Sequence, residues 1–241
     1  METNKEEKNM PIHSGHRKRL KNRFLEEGLD NFTDIQALEL LLFYCIPRVD
    51  TNPLAHALLD EFGSLARVME ATPKELMAVP GIGDNVATLF SLITQLGRYY
   101  QVNRVMGTRI LTSIDKCGHY MLPYFQGRTK ETVFLLCLDA KCKVLCCKKV
   151  GEGSVNSADV SIRKIAEMAL AANATSVVLA HNHPSGIACP SDEDKLTTKK
   201  VAMALKAMDI ELVDHLVVAD DDFVSLAQSG MYDPDECCIL L

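Results

Sequence analysis

The sequence predicts two units of different class, an all-α N-terminal half followed by an α+β C-terminal half. Three observations predict this. From Arg17 to about Tyr100 the punctuation is that of helices alone. From Thr132 onward, short β-branched apolar runs alternate with helical patterns. Between the two, Val102 to Gly107 reads as a short linker, which divides the chain into a helical domain at 1–101, a linker at 102–107 and a second domain at 108–241. A length of 241 residues, 47% of them hydrophobic and 24% charged, is enough for two ordinary cores.

The helix signals of the first half come in order. Gly28 and Gly63 stand where C-caps are expected, Asn52-Pro53 reads as a cap and first turn, and Thr72-Pro-Lys-Glu75 has the form of a capping box. Val79-Pro-Gly-Ile-Gly83, between two helical patterns, resembles the turn of a helix-hairpin-helix module, in which glycine amides approach a nucleic-acid phosphate. Gly81 and Gly83 are the candidate contacts. A basic residue usually follows such glycines, whereas Asp84, Asn85 and Val86 follow here, so a tight turn that only packs two helices is the competing reading. The stretch from His13 to Arg23 holds five Lys or Arg and no acid. It offers Arg17 and Arg19 as nucleic-acid contacts, with Leu20 and Phe24 anchoring it; its bland alternative is a solvated helix face.

Charge excludes a basic domain. Lys and Arg against Asp and Glu give 11 − 14 = −3 for residues 1–101 and 15 − 18 = −3 for the remainder, so any DNA contact is local and salt-sensitive. The charged residues 1–9 do not form a signal peptide, and no apolar run approaches the ~18 residues of a membrane span, so a cytoplasmic protein is expected. Nine cysteines without Cys-x-x-Cys pairs, Cys142, Cys146, Cys147, Cys237 and Cys238 among them, fit reduced thiols in such a compartment.

In the second half a helix is expected near Ser113–Phe125, a hairpin over Thr132–Val150 with a turn at Asp139–Lys141, and a helix from Val160 to Ala172. A buried strand, Thr175–Ala180, follows. A helix opened by Ser191 should bury Leu196, Val201, Leu205 and Met208, and a closing hairpin should turn at Asp220–Asp222.

The chemistry lies where that strand ends. Side chains alternate along a strand, so His181 and His183 point to one face, while Asp194 falls in the first turn of the facing helix. Pro184 and Pro190 hold their preceding residues extended, and Gly186 lets the loop turn back. Two imidazoles and one carboxylate form a borderline N/O set suited to one zinc ion, with a fourth position left for water whose pKa falls to roughly 7. Ser191-x-x-Asp194 is at the same time a capping box in form, which by itself says only that a helix starts there. His215, in the alternating segment Glu211–Ala219, reads as a satisfied core histidine outside the ligand set.

His-x-His-Pro with Ser-x-x-Asp seven residues beyond the proline resembles the JAMM metalloprotease motif, and the chain resembles the RadC branch of that superfamily over nearly its whole length. The words that carry this include Gly15-His-Arg17, Ile46-Pro-Arg48, Phe62-Gly-Ser64, Gly81-Ile-Gly83, Asn173-Ala174, His181-Asn-His-Pro-Ser-Gly186, Pro190-Ser191 and Asp214-His215. The resemblance implies an α+β JAMM/MPN domain of cytidine-deaminase-like arrangement, with His181, His183 and Asp194 as zinc ligands. It implies Glu131, just before Thr132–Leu138, as general base and Ser191 as donor to the developing oxyanion. Glu152 is the alternative base. One departure stands out: where RadC-like chains commonly read Pro-Arg-Glu, this chain has Ile162-Arg163-Lys164.

The expected function is therefore a zinc metallopeptidase or hydrolase of peptide or isopeptide bonds, linked by its family's name to DNA repair, acting on a peptide or protein substrate and open to self-association. The alternative is a nucleic-acid-binding repair accessory with a non-catalytic metal site. A metal-dependent nuclease would be expected to bring more carboxylates and often a second ion.

Overall fold

The computed structural model describes residues 15–105, 110–153 and 161–234, so His13, Met106, Gly107, Cys237 and Cys238 lie outside the described residues. The chain divides into two compact units between Thr94 and Gln95. That boundary falls within one continuous helix, Asp84–Val105, so residues 102–105 of the expected linker are helical.

The first unit is helical. Its helices are α1 (His16–Glu27), α2 (Asp34–Cys45), α3 (Asn52–Phe62), α4 (Leu65–Glu70), α5 (Pro73–Leu76) and the first half of α6 (Asp84–Val105). Polar caps start them: Thr33 and Gln36 close a capping box on α2, Thr72 and Glu75 close one on α5, and Ser64 accepts from the Arg67 N–H at α4. Gly28 and Gly63 end α1 and α3 with positive φ, as the sequence leads one to expect. Leu38, Leu42, Leu58, Val68, Leu76 and Phe90 fill the core. Leu20 packs in a smaller cluster with Leu40 and Phe43, while Phe24 lies outside that cluster with 36% of its surface exposed. Before α6, Gly81 has φ +91°, and a Cβ there would press on the Leu54 side chain at 2.7 Å. A left-handed, closely packed turn thus requires glycine at 81 for structural reasons alone.

The second unit is a mixed α/β domain. Helix α7 (Ile114–Phe125) precedes the hairpin of β1 (Thr132–Leu138) and β2 (Val144–Glu152); α8 (Ile162–Ala171), β3 (Ser176–Asn182), α9 (Asp192–Lys206), β4 (Glu211–Ala219) and β5 (Asp222–Ser225) follow. The five strands lie in the order β2-β1-β3-β4-β5. β3 pairs antiparallel with β1 and parallel with β4, so the central strand has neighbours on both edges. Buried on both faces, β3 has to be apolar throughout, which is why Val177–Ala180 is a continuous run and not an alternation. One face packs Val133, Leu135, Val177, Leu179 and Val217 with Ile165 and Ala169 of α8 and with Val201, Ala202 and Leu205 of α9. The other packs Phe134, Leu136, Val178, Ala180 and Leu216 with Tyr120, Met121, Tyr124 and Phe125 of α7.

The inner stripe of α9 differs from the expected one. Asp194, Thr197, Thr198, Val201, Ala202 and Leu205 are buried, while Leu196 is about half exposed. Positions 194, 197, 198, 201 and 205 follow the i, i+3, i+4, i+7 spacing of one helix face, and Leu196 lies off it. The first turn of that face is polar because it meets the end of β3 and not the apolar core.

Gly118 of α7 supplies a test of the packing. A methyl group at 118 would overlap the ring of Phe223 on β5. Alanine favours a helix interior over glycine by about 1 kcal/mol, but the overlap costs about 1–3 kcal/mol. Gly118→Ala is therefore expected to lower stability in urea unfolding and to raise it in a Phe223→Ala background. Equal effects in the two backgrounds would show that the ring does not contact position 118.

Candidate metal centre

The sheet register builds the site. Val133 of β1 lies opposite His181 of β3. Continuing that antiparallel register by two residues would set Glu131 opposite His183, each standing one residue outside its strand. Backbone pairing does not extend this far, and the Asn182 side chain takes over: its Oδ1 accepts from the Thr132 N–H at 2.8 Å and its Nδ2 donates to the Lys130 carbonyl at 3.3 Å. Asn182 thus braces the main chain on both sides of Glu131, a role that no sequence signal announced. Glu131 is half-buried, and its carbonyl accepts from the Gly153 N–H.

His181, His183 and Asp194 come together as expected from their spacing. One ligand atom from each lies within 4.8 Å of the others, and they form a group able to hold a metal ion. His181 Nε2 is 3.0 Å from His183 Nε2 and 3.2 Å from Asp194 Oδ1, and His183 Nε2 is 3.6 Å from Asp194 Oδ2. His183 follows directly on β3, its backbone N–H donating to the Val218 carbonyl, and Gly186 turns the loop with φ +79°. Its Nδ1 lies 3.0 Å from the Ile187 carbonyl, which can only accept, so the ring proton sits on Nδ1 and Nε2 keeps its lone pair.

Burial holds the His181 pKa down to about 4; the Asp194 carboxylate opposes this in part and His183 adds to it. The neutral imidazole favoured there is the form that can ligate a metal. The donor set therefore fits a divalent ion of borderline character.

Asp194 has a second duty. The capping box of α9 is closed, with the Ser191 N–H at 2.9 Å and the Ser191 hydroxyl at 2.6 Å both donating to Asp194 Oδ2, while Ser191 Oγ accepts from the Asp194 N–H. The one hydroxyl proton of Ser191 is thereby on the carboxylate. Glu152, the alternative base, is exposed and pairs with Lys149 at 2.7 Å, which lowers its pKa. Lys164 is exposed in the first turn of α8, its N–H on the Ser161 hydroxyl, and Arg163 pairs with Glu167 at 2.7 Å.

Behind the candidate ligands lie two residues that sequence reasoning did not connect to them. His215 Nε2 is 2.8 Å from His181 Nδ1, and His215 Nδ1 is 2.6 Å from Thr198 Oγ1. His215 is fully buried and hydrogen-bonded on both nitrogens, as expected of a core histidine, yet its partner is a candidate ligand. The available signal was the parallel pairing of β3 and β4, which sets His215 against Leu179 on the face that carries His181.

In the N-terminal unit, the Arg17 guanidinium donates to the carbonyls of Phe43, Ile46 and Val49 and stacks over the Phe43 ring at 4.6 Å. It closes the end of α2. Arg19 is exposed on α1, and Gly83 lies at the start of α6 with its carbonyl accepting from Val86 and Ala87. Among the described residues no helix is long and apolar enough to cross a membrane.

Comparison with known proteins agrees with these observations. A family model described as a RadC-like JAB domain matches residues 111–231, the stretch that contains every residue of the candidate centre. A UPF0758 protein of Ruegeria pomeroyi is 34% identical over 215 residues, covering 89% of this chain and 96% of its own length. A UPF0758 protein of Shewanella halifaxensis is 30% identical over 226 residues, covering 94% and 99%.

The buried histidines make the metal-free protein acid-sensitive. His181, ordinarily near 6.5, is held to about 4 in the folded state, and burial lowers His215 in the same direction. Between 6.5 and about 4 the unfolded chain binds a proton at His181 that the folded chain refuses, so stability falls as pH drops through this window, and His215 adds a loss in the same direction. Thermal unfolding in chelator across this range should show that loss, and His181→Gln should diminish it. A flat profile for the wild-type protein would contradict a buried neutral His181.

Proposed function

The chain belongs to the RadC family, and from that premise we propose that it is a zinc-dependent hydrolase that cuts peptide or isopeptide amides. The observation that carries this reading is the convergence of His181, His183 and Asp194 within 4.8 Å, at the end of β3 that pairs with the start of β1, the strand Glu131 precedes by one residue. Three N/O ligands with one position open are the set expected of a catalytic zinc site. When bound, the ion supplies Lewis acidity, polarising a carbonyl and acidifying water to a pKa of about 7.

The protein's own residues supply positioning and proton transfer. His181 and His183 are held with Nε2 toward a common point. Glu131 takes a proton from water and returns it to the amine nitrogen as the C–N bond breaks, the role for which a carboxylate is suited. Ser191 donates to the oxyanion. In that role its proton moves from Asp194 Oδ2, 2.6 Å away, to the substrate oxygen, and the Ser191 N–H is left to hold the carboxylate. A nucleic-acid contact in the N-terminal unit, and with it a repair role, draws less support: Arg17 is spent on backbone carbonyls and Gly81 has a structural reason to be glycine.

Metal analysis and cleavage assays test the reading together. Wild-type protein should copurify with about one zinc per chain and His183→Ala should lose it. Glu131→Gln should keep zinc while losing metal-dependent cleavage of peptide or isopeptide substrates by about 10²–10⁴-fold. Absence of metal-dependent amide cleavage by the wild type would remove the hydrolase assignment, and full activity in Glu131→Gln would remove that residue's role.

A further inference from the structure

We propose that His215 and Thr198 are positioning residues of the metal centre, forming a buried hydrogen-bonded strut that fixes the tautomer of His181 and ties the end of β3 to the start of α9. The proposal rests on the metal-binding reading above and adds to it two residues that touch neither metal nor substrate. The strut runs from His181 Nδ1 to His215 Nε2 at 2.8 Å, from His215 Nδ1 to Thr198 Oγ1 at 2.6 Å, and from Thr198 Oγ1 to the Asp194 carbonyl at 2.6 Å. It begins on one candidate ligand and ends on the backbone of another. His215 and Thr198 are both fully buried, so no water competes for these bonds.

The direction of the chain is fixed by its last link. A carbonyl cannot donate, so two oxygens 2.6 Å apart attract only if the Thr198 hydroxyl proton lies between them; otherwise opposed lone pairs would repel. Having given its one proton to Asp194, the hydroxyl must accept from His215, which puts the His215 proton on Nδ1. A neutral His215 then offers a lone pair at Nε2, and His181 must donate from its own Nδ1. His181 Nε2 is left unprotonated, and it and His183 Nε2, 3.0 Å apart, then oppose lone pairs that a shared cation would relieve. The Ile187 carbonyl does the same for His183 in one step. Two backbone carbonyls thus decide the protonation of both imidazoles, one directly and one through two side chains.

This also assigns the polar stripe on α9. Thr198 occupies a position where the helix would otherwise bury an aliphatic side chain, and a valine of the same shape would fit the space while leaving His215 Nδ1–H with no acceptor. Orienting partners of this kind are worth about 10–100-fold in metal affinity.

Zinc affinity measured by chelator competition on the full chain tests the proposal. Thr198→Val should bind zinc about 10–100-fold more weakly, and Thr198→Ser, which keeps the hydroxyl, should stay near wild type. In zinc-loaded wild-type protein, ¹⁵N shifts should show His215 protonated at Nδ1 and bare at Nε2, and His181 protonated at Nδ1. Thermal unfolding of the metal-free variants reports whether they fold; if Thr198→Val does not, the wild-type ¹⁵N spectrum decides alone. Wild-type affinity in Thr198→Val, or a proton on His215 Nε2, overturns the strut. Failure of the wild type itself to take up zinc overturns the metal reading, and the strut with it.

Discussion

The candidate centre depends on the saturation of β3. Its backbone is paired on one side with β1 and on the other with β4, and its side chains are covered on both faces. A strand so enclosed cannot slip by one residue without turning Val177, Leu179 and His181 to the opposite face, which would exchange two packed sets of side chains at once. The register is therefore over-determined by the core, and the histidines inherit its rigidity. Rigidity of this kind is what a metal site needs, since its ligand atoms must be held to within about half an ångström.

The same enclosure creates a polar problem at the strand end, and its solution shapes the surrounding elements. His181 is almost fully buried, so each ring nitrogen requires a partner. One faces the other candidate ligands. The other is met by His215, which is met by Thr198, which is met by a helix carbonyl. Around the Glu131 position a different residue serves: Asn182 supplies a donor and an acceptor where the β1–β3 ladder has run out. Two sets of polar side chains thus carry the order of the apolar sheet into the region where hydrogen bonding between strands stops.

These considerations explain what was legible in the sequence. The hairpins, the capped helices and the His-x-His spacing follow from local rules, namely alternation, capping and turn chemistry, and each appears in the fold. The exposure of Leu196 did not follow, because the helix face is defined by what it packs against, and the threonines at 197 and 198 disguise the first turn of that face as solvent-exposed. The role of His215 was hidden for a related reason. Its partners are 34 and 17 residues away, on β3 and α9, and only the parallel pairing of β3 and β4 brings them together. Likewise, the linker expected from Val102 contains no breaker before Gly107, so nothing in its first four residues prevents α6 from continuing to Val105.

Asp194 shows why a motif can be structural and chemical without contradiction. As the third residue of α9 it closes a capping box through Oδ2, and through Oδ1 it faces His181. A carboxylate has about four lone-pair sites, so the capping bonds on Oδ2 leave Oδ1 free to face His181. The two duties also support each other. The two bonds from Ser191 fix the carboxylate's rotamer and so hold its Oδ1 toward His181. Helix initiation and ligand presentation are then one event: where the chain starts α9, it also sets the third candidate ligand in place, and displacing the start by a single residue would rotate that carboxylate by about 100° around the helix axis, away from the histidines.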